Sequence, residues 1–259
     1  TPKMDGIGAN EFVVSVTQGL VDFYSVGDTH PIWELNMWYH TLNCGFKTGL
    51  TGETDFPCIS DHRVGMARSY FKPGTAPTYT NYIAALKSGK GYVSDGYAHI
   101  IDFTVNNKEA VMARDVIARA NDAIHFTATI AGMLLKTPPE LSEELSRTAI
   151  SDRPWWIERA RIKGTRKIKV ELIVNGVPVD TAEVVADGKM NKVDFDYRMQ
   201  KSGWAAIRIF PSAHSNPVFI RIDNQPVQDK KSAEWCKRAT EQCWKMKGDH
   251  QSLRNRRNK

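Results

Sequence analysis

With 259 residues, 41% of them hydrophobic and 10% aromatic, the chain is long enough for one large domain or two modest ones with real cores. No run approaches the roughly 18 to 20 apolar residues of a membrane-spanning helix, and the opening residues lack the charged-then-apolar pattern of a signal peptide. The net charge of +6 is local, because residues 229–259 carry ten Lys/Arg against four Asp/Glu while the remainder carries 25 of each sign, so charge gives no argument for nucleic acid as a partner.

The first hundred residues alternate strand and helix signals. Residues 12–16 and 21–26 (VDFYSV) read as short strands. A helix is predicted over residues 31–44, with Pro31 in its first turn, Asp28 or Thr29 as cap and Gly45 as stop. Ile32, Leu35, Tyr39 and Leu42 then share one face. A strand over residues 47–55 follows, which completes a β-α-β unit of the parallel kind. Residues 68–72 read as a strand, 80–88 as a helix ended by Gly89, and 91–94 as a strand before the Asp95-Gly96 turn.

From about residue 98 the pattern becomes strand-rich. Runs at 99–105, 124–130, 156–162, 168–174, 177–185, 193–197, 204–210 and 218–222 are separated by turn signals, of which Asn175-Gly176 is the clearest hairpin. Eight such runs with little helix predict an antiparallel β-sandwich. Residues 136–153 read as an inserted loop or short helix. A closing helix over residues 232–246 turns Trp235, Ala239 and Cys243 inward. The expected organisation is therefore α/β over 1–97, a β-sandwich over 98–228, and a helix with a basic tail over 229–259. The four cysteines form no C-x-x-C pair, and Cys236 and Cys243 sit too far apart on a helix for a disulfide, so free thiols are expected.

Parallel sheets bind ligands at the carboxyl ends of their strands. The strand over 21–26 ends at Gly27-Asp28-Thr29-His30, and the next ends at Gly52-Glu53-Thr54-Asp55, so both acidic clusters are expected on one rim. Carboxylates and a histidine converging there suit a divalent metal. Asp55 is the first candidate ligand, with Glu53 and Asp28 after it. Asp28 has the alternative of capping the following helix, and His30 lies beside it. Lys47, Arg63 and Arg68 flank these strand ends and could either hold an anionic substrate group or balance the acids. His40, His99 and His125 read as packing or face residues.

The run WELNMWYHTLNCGFKTGLTGETDFPCI (residues 33–59), then RVGMARSYF (63–71) and the G-x-x-Y-V-S-D-G segment at 89–96, resembles the CehA/McbA-type branch of the PHP (polymerase and histidinol phosphatase) metallohydrolase superfamily. The tail resembles the family's C-terminal region at residues 155–164, 169–176, 204–217 and 232–236. The resemblance covers about residues 10–247. It implies the C-terminal half of a PHP-like (β/α) barrel that binds zinc or manganese. Such a barrel hydrolyses ester, carbamate or phosphoester bonds of small molecules through a metal-bound hydroxide. By that match Asp55 is the acidic ligand of the last metal-binding segment, and Arg63 and Arg68 lie near the substrate.

Two departures stand out. Asp55 is followed by Phe56-Pro57 where many relatives place x-His, and no H-x-H pair occurs in the chain. The sequence thus reads as a piece of the protein it resembles, holding at best a partial metal site and depending on a missing N-terminal barrel half as partner. Two other readings stand beside the hydrolase: a carbohydrate- or protein-binding β-sandwich with Trp155, Trp156 and Trp204 as an aromatic platform, and a degenerate barrel half that supports a partner chain.

Overall fold

A computed structural model describes residues 11–27, 29–56, 64–72, 74, 76–140, 147 and 155–257. The first element departs from expectation. Residues 12–16 are helical, as α1 (Phe12–Ser15) and a 3-10 turn (Val16–Gln18) closed by the left-handed Gly19. Phe12, Val13 and Val16 are buried while Val14 is exposed, a helical spacing that a five-residue apolar run does not distinguish from a strand.

The β-α-β unit forms as predicted. Strand β1 (Phe23–Val26), helix α2 (Pro31–Asn43) and strand β2 (Gly49–Gly52) follow in order, with β1 and β2 parallel and Val26 beside Gly52. Pro31 opens α2 and Cys44 caps its end, but the N-cap is His30, which makes no side-chain capping bond. Leu35, Tyr39 and Leu42 are buried together with Trp38, whereas Ile32 is exposed. Strand β3 (Arg68–Phe71), helix α3 (Tyr79–Ser88) and strand β4 (Gly91–Ser94) come next, with the Thr78 hydroxyl capping α3 at Asn81 and left-handed Gly89 ending it. Here β3 and β4 pair antiparallel and join a larger sheet. No closed barrel is found among the described residues.

The remaining strands are β5 (Ala98–Val105), β6 (Lys108–Glu109), β7 (Val116–Ala118), β8 (Ala123–Met133), β9 (Lys167–Val174), β10 (Val177–Val185), β11 (Asp187–Arg198), β12 (Gly203–Ile209), β13 (Ala213–Ser215) and β14 (Val218–Ile222). The expected strand at 156–162 is instead a short helix, α4 (Ile157–Ala160). Its first N–H is taken by the buried Asp95 carboxylate at 2.6 Å, so a distant acid, not local β propensity, decides that segment. The predicted insertion at 136–153 falls largely outside the described residues. Helix α5 (Lys230–Arg257) closes the chain with Trp235, Ala239 and Cys243 buried. It runs eleven residues beyond the predicted end, and no helix of the described residues is long and apolar enough to cross a membrane.

The long sheet runs β10-β9-β12-β13-β4-β3, with β14 on β12 and β7 on β14, so strands from both sides of residue 98 share it. A second sheet runs β11-β8-β5-β6. One core joins the two, with Ile100, Phe126 and Ile130 from the second sheet and Val170, Leu172 and Ile207 from the first. The opposite face of the long sheet offers Val93, Ile173, Trp204, Ala206 and Phe219 to Val26, Trp38, Leu42 and Leu50. The central strands are therefore covered on both sides, which is why Gly203–Ile209 reads as a continuous run without alternation.

A polar knot ties α2 to this sheet. The Tyr39 hydroxyl lies 2.6 Å from His214 Nε2, His214 Nδ1 lies 2.7 Å from the Ser215 carbonyl, and Arg208 Nη1 donates to the Tyr39 oxygen at 3.2 Å. Arg208 Nε in turn donates to Glu171 at 2.7 Å. The set fixes the tautomer: His214 carries its proton on Nδ1 and accepts from Tyr39. Trp38 and Trp204 pack around the pair, their own N–H groups donating to the Thr48 carbonyl and to Asn43. Beside it, His40 stacks on Trp235 at 4.3 Å, and the Cys44 and Cys236 thiols share a hydrogen bond that holds Cys44 below the usual thiol range. Cys44, Cys236 and Cys243 are free, as expected, and Cys58 lies outside the described residues.

Burial pushes His214 down to about 3 from an ordinary 6.5. The unfolded chain then binds the extra proton first, so this stability is full above pH 6.5 and is lost as pH falls toward 3. The slope is at most about 1.4 kcal/mol per pH unit for one proton. His40 and His99, both lowered chiefly by burial, act in the same direction. Urea unfolding is expected to show a midpoint that drops between pH 7 and 4.5, with a shallower slope in His214→Gln. An equal slope in the variant would remove His214 as a source.

Candidate functional site at the carboxyl ends of the parallel strands

Both strands of the parallel pair end on one rim, and the ladder continues one step further through the Glu53 N–H to the Val26 carbonyl at 3.1 Å. The segment Met66-Ala67-Arg68 lies directly across these ends. A Cβ on Gly27 would come 2.0 Å from the Ala67 Cβ, and one on Gly52 would come 2.6 Å from the Arg68 nitrogen. Only glycine permits this crossing at both strand ends. The Ser69 hydroxyl accepts the Gly52 N–H at 2.8 Å and fixes the approach.

The loop after β1 is held by a carboxylate the sequence did not single out. Glu34, in the first turn of α2 and buried, accepts from the Gly27 N–H at 3.1 Å and 3.2 Å. It also accepts from the Thr29 N–H at 3.0 Å and the Thr29 hydroxyl at 2.7 Å. A buried acid is stable only when donors surround it, and these donors are the loop itself. The signal in the sequence was a glutamate among apolar neighbours early in a predicted helix, a pattern that exposed helix faces also show.

Of the predicted site residues, Glu53 and Asp55 are exposed in the loop past β2. That strand ends at Gly52, and Asp55 takes a left-handed φ of 50°, so strand alternation does not set their relative direction. Asp28 and Arg63 lie outside the described residues. Arg68 is brought to the rim, its guanidinium against Gly65 and against the Asp95-Gly96 turn, where a Cβ on Gly96 would meet Nη1 at 2.2 Å. Lys47 is not at the rim: it precedes β2, at the opposite end of that strand, and pairs with Asp115 at 2.5 Å. His30 packs edge-on against Trp33 at 4.4 Å. His125 bonds Asp196 on the β8–β11 face.

Beyond Arg68 the rim is built by Asp95 and His99. Asp95 is fully buried and accepts from the Tyr97 N–H, the Ser212 hydroxyl and the Ile157 N–H, fixing the end of β4 to the start of β13 and to α4. His99 shares a 2.8 Å hydrogen bond with the Tyr92 hydroxyl. Burial holds its imidazole below the ordinary value, against the pull of Asp95 and with that of Arg68. Among the described residues no group of three or more His, Cys, Asp or Glu stands close enough to hold a metal ion. The described carboxylates of the rim do not by themselves make a ligand set. Trp155 and Trp204 are buried in the core, which removes two of the three rings of the proposed aromatic platform.

Comparisons with protein-family models and with curated proteins found no match.

Glu34→Gln removes the charge that gathers the loop donors while keeping the shape. Amide exchange at Gly27 and Thr29 is expected to rise by at least about tenfold, in line with loss of charge-assisted bonds of roughly 1.5–3 kcal/mol. Unchanged protection at both amides would mean that the loop is held by something else.

Proposed function

We propose that this chain is the C-terminal part of a PHP-type metal-dependent hydrolase acting on ester, carbamate or phosphoester bonds. In this reading the β-rich region is an accessory β-sandwich and the parallel unit is a segment of the barrel. The reading rests on the resemblance of residues 33–59, 63–71 and 89–96. The observation that supports it best is the parallel register of β1 and β2, which ends both strands on one edge and carries Glu53 and Asp55 to the same side as the loop after Gly27. That edge is where α/β proteins bind ligands.

Within it, Asp55 is the first carboxylate offered to zinc or manganese, with Glu53 and Asp28 as the next candidates. A bound cation would offset the repulsion between carboxylates gathered on one rim. In the family that the chain resembles such a site also takes histidine donors from an H-x-H pair, a motif that does not occur in this sequence. Arg68, reinforced by Arg63, takes the anionic oxygen of a small-molecule ester or phosphoester. Its guanidinium lies beside Gly65 and Gly96, where the absence of a Cβ leaves room for it, and its planar fork suits a bidentate anion.

A partial site is visible to a paramagnetic probe even when binding is weak. Adding manganese to the isotope-labelled chain is expected to broaden the amide signals of Gly27, Thr29, Glu53 and Asp55 before others. Asp55→Ala is expected to abolish that selectivity. Broadening spread evenly over the surface acids, or unchanged by the substitution, would contradict the assignment.

A further inference from the structure

Away from the rim, the packing of α5 on α2 brings two cysteines together. Ser232 Oγ lies 3.0 Å from His40 Nδ1 and accepts from Asn43 Nδ2 at 3.1 Å, and the Trp235 ring stacks on His40 at 4.3 Å. One turn after His40 stands Cys44, and one turn after Ser232 stands Cys236. A step of four residues keeps a side chain on the same helix face, so the two cysteines follow the His40–Ser232 contact into register. Their thiols meet within hydrogen-bond reach.

Both sides of this contact are held. The Ser232 N–H donates to Asp229 Oδ1 at 2.7 Å at the start of α5. At the end of α2, a Cβ on Gly45 would come 2.7 Å from the Val227 carbonyl oxygen, so the segment leading into α5 lies directly on the end of α2. Cys44 and Cys236 are half-buried and open to a small reagent, whereas Cys243, further along α5, is buried. The hydrogen bond from Cys236 holds the Cys44 thiol below the usual range, against the effect of burial. The thiolate is the nucleophile of thiol–disulfide exchange, so Cys44 is the attacking member of the pair.

We propose that Cys44 and Cys236 are a dithiol modification site, oxidised by a small organic disulfide to a bond that staples α5 to α2. In the first step the Cys44 thiolate attacks one sulfur of the reagent R–S–S–R; that bond breaks, Cys44–S–S–R forms and R–S⁻ leaves. In the second, Cys236 gives up its proton to solvent and its sulfur attacks Cys44 Sγ, expelling the second R–S⁻. The two cysteines together lose two electrons and two protons, and the reagent is reduced to two R–SH. A disulfide of about 2 Å requires the sulfurs to close by on the order of 1–2 Å from hydrogen-bond distance, a shift that side-chain rotation supplies. The bond closes a loop from residue 44 to residue 236, which constrains most of the unfolded chain.

Oxidised glutathione added to the full folded chain tests this, with free thiols then alkylated and the peptides weighed without reduction. The expected product is a cross-linked peptide pair joining Cys44 to Cys236 and lacking two hydrogens, which dithiothreitol separates. The ratio of cross-link to glutathione-capped Cys44 is expected to be at least about tenfold higher in the folded chain than in urea, because only the fold holds the second thiol close. Cys236→Ser is expected to stop at the glutathione-capped Cys44, with Cys236→Ala in its place should that variant fail to fold, and Cys243→Ser to leave the cross-link unchanged. Oxidation is also expected to raise the urea midpoint of the native chain but not of the Cys236 variant. A glutathione cap that persists on Cys44 in the folded native chain, cross-links that run to Cys58 or Cys243 instead, or an equal ratio in urea would overturn the proposal.

Discussion

The hydroxyl of Tyr39 is the interaction on which the rest of the structure depends. It is the point where helix α2 meets the long sheet, donating to His214 and accepting from Arg208, and both Tyr39 and His214 are buried. Burial pushes this phenol up to about 12, against the pull of Arg208, so it stays a neutral donor throughout the physiological range. The arrangement is satisfied as a chain: Glu171 orders Arg208, Arg208 orders Tyr39, Tyr39 orders His214, and His214 closes on its own strand. A buried network of this kind has high stakes, because removing any member leaves the others unpaired. The surrounding Trp38 and Trp204 supply apolar burial that is less directional, and the knot fixes which way α2 faces.

That facing has consequences at the rim. Tyr39 and Glu34 lie on one helix, one holding it to the sheet and the other holding the loop after β1. The position of α2 therefore sets the position of the loop that ends beside Glu53. The crossing segment at Ala67 and Arg68 completes the frame, and it can approach only because Gly27 follows β1 and Gly52 ends β2. The rim thus combines a backbone held by Glu34 and Ser69 with the exposed acids Glu53 and Asp55.

Much of this was legible in the sequence. Helices α2 and α3 were readable because Pro31, Gly45 and Gly89 punctuate them, and the β9–β10 hairpin because Asn175 and Gly176 both take the left-handed conformation their turn demands. Local punctuation carries that information. What failed was decided over distance. Residues 156–162 read as a strand until Asp95, some sixty positions earlier, caps them as a helix. Strands β7 and β13 are three residues each and exist only as partners of β14, β12 and β4. Strands β3 and β4 read as continuing the α/β pattern, whereas they pair antiparallel with each other and β4 pairs with β13, which draws both into the long sheet. Of the site, Arg68 lies at the rim beside the strand ends it was read as flanking, but Asp95 was legible only as a turn residue of the segment at 89–96 and Glu34 only as a glutamate early in a helix, neither pattern showing that these acids shape the rim.

The account's central claim is that α2 is fastened to the sheet through Tyr39. The most direct measurement is the unfolding free energy of Tyr39→Phe, followed at once by tryptophan fluorescence and by amide exchange in β1, β2 and β12. The account predicts a loss of about 1–3 kcal/mol, the cost of leaving buried partners unpaired, with all three strands losing protection together. A change within about 0.5 kcal/mol, the range of an ordinary surface substitution, or exchange that rises in β1 and β2 while β12 is untouched, would contradict it.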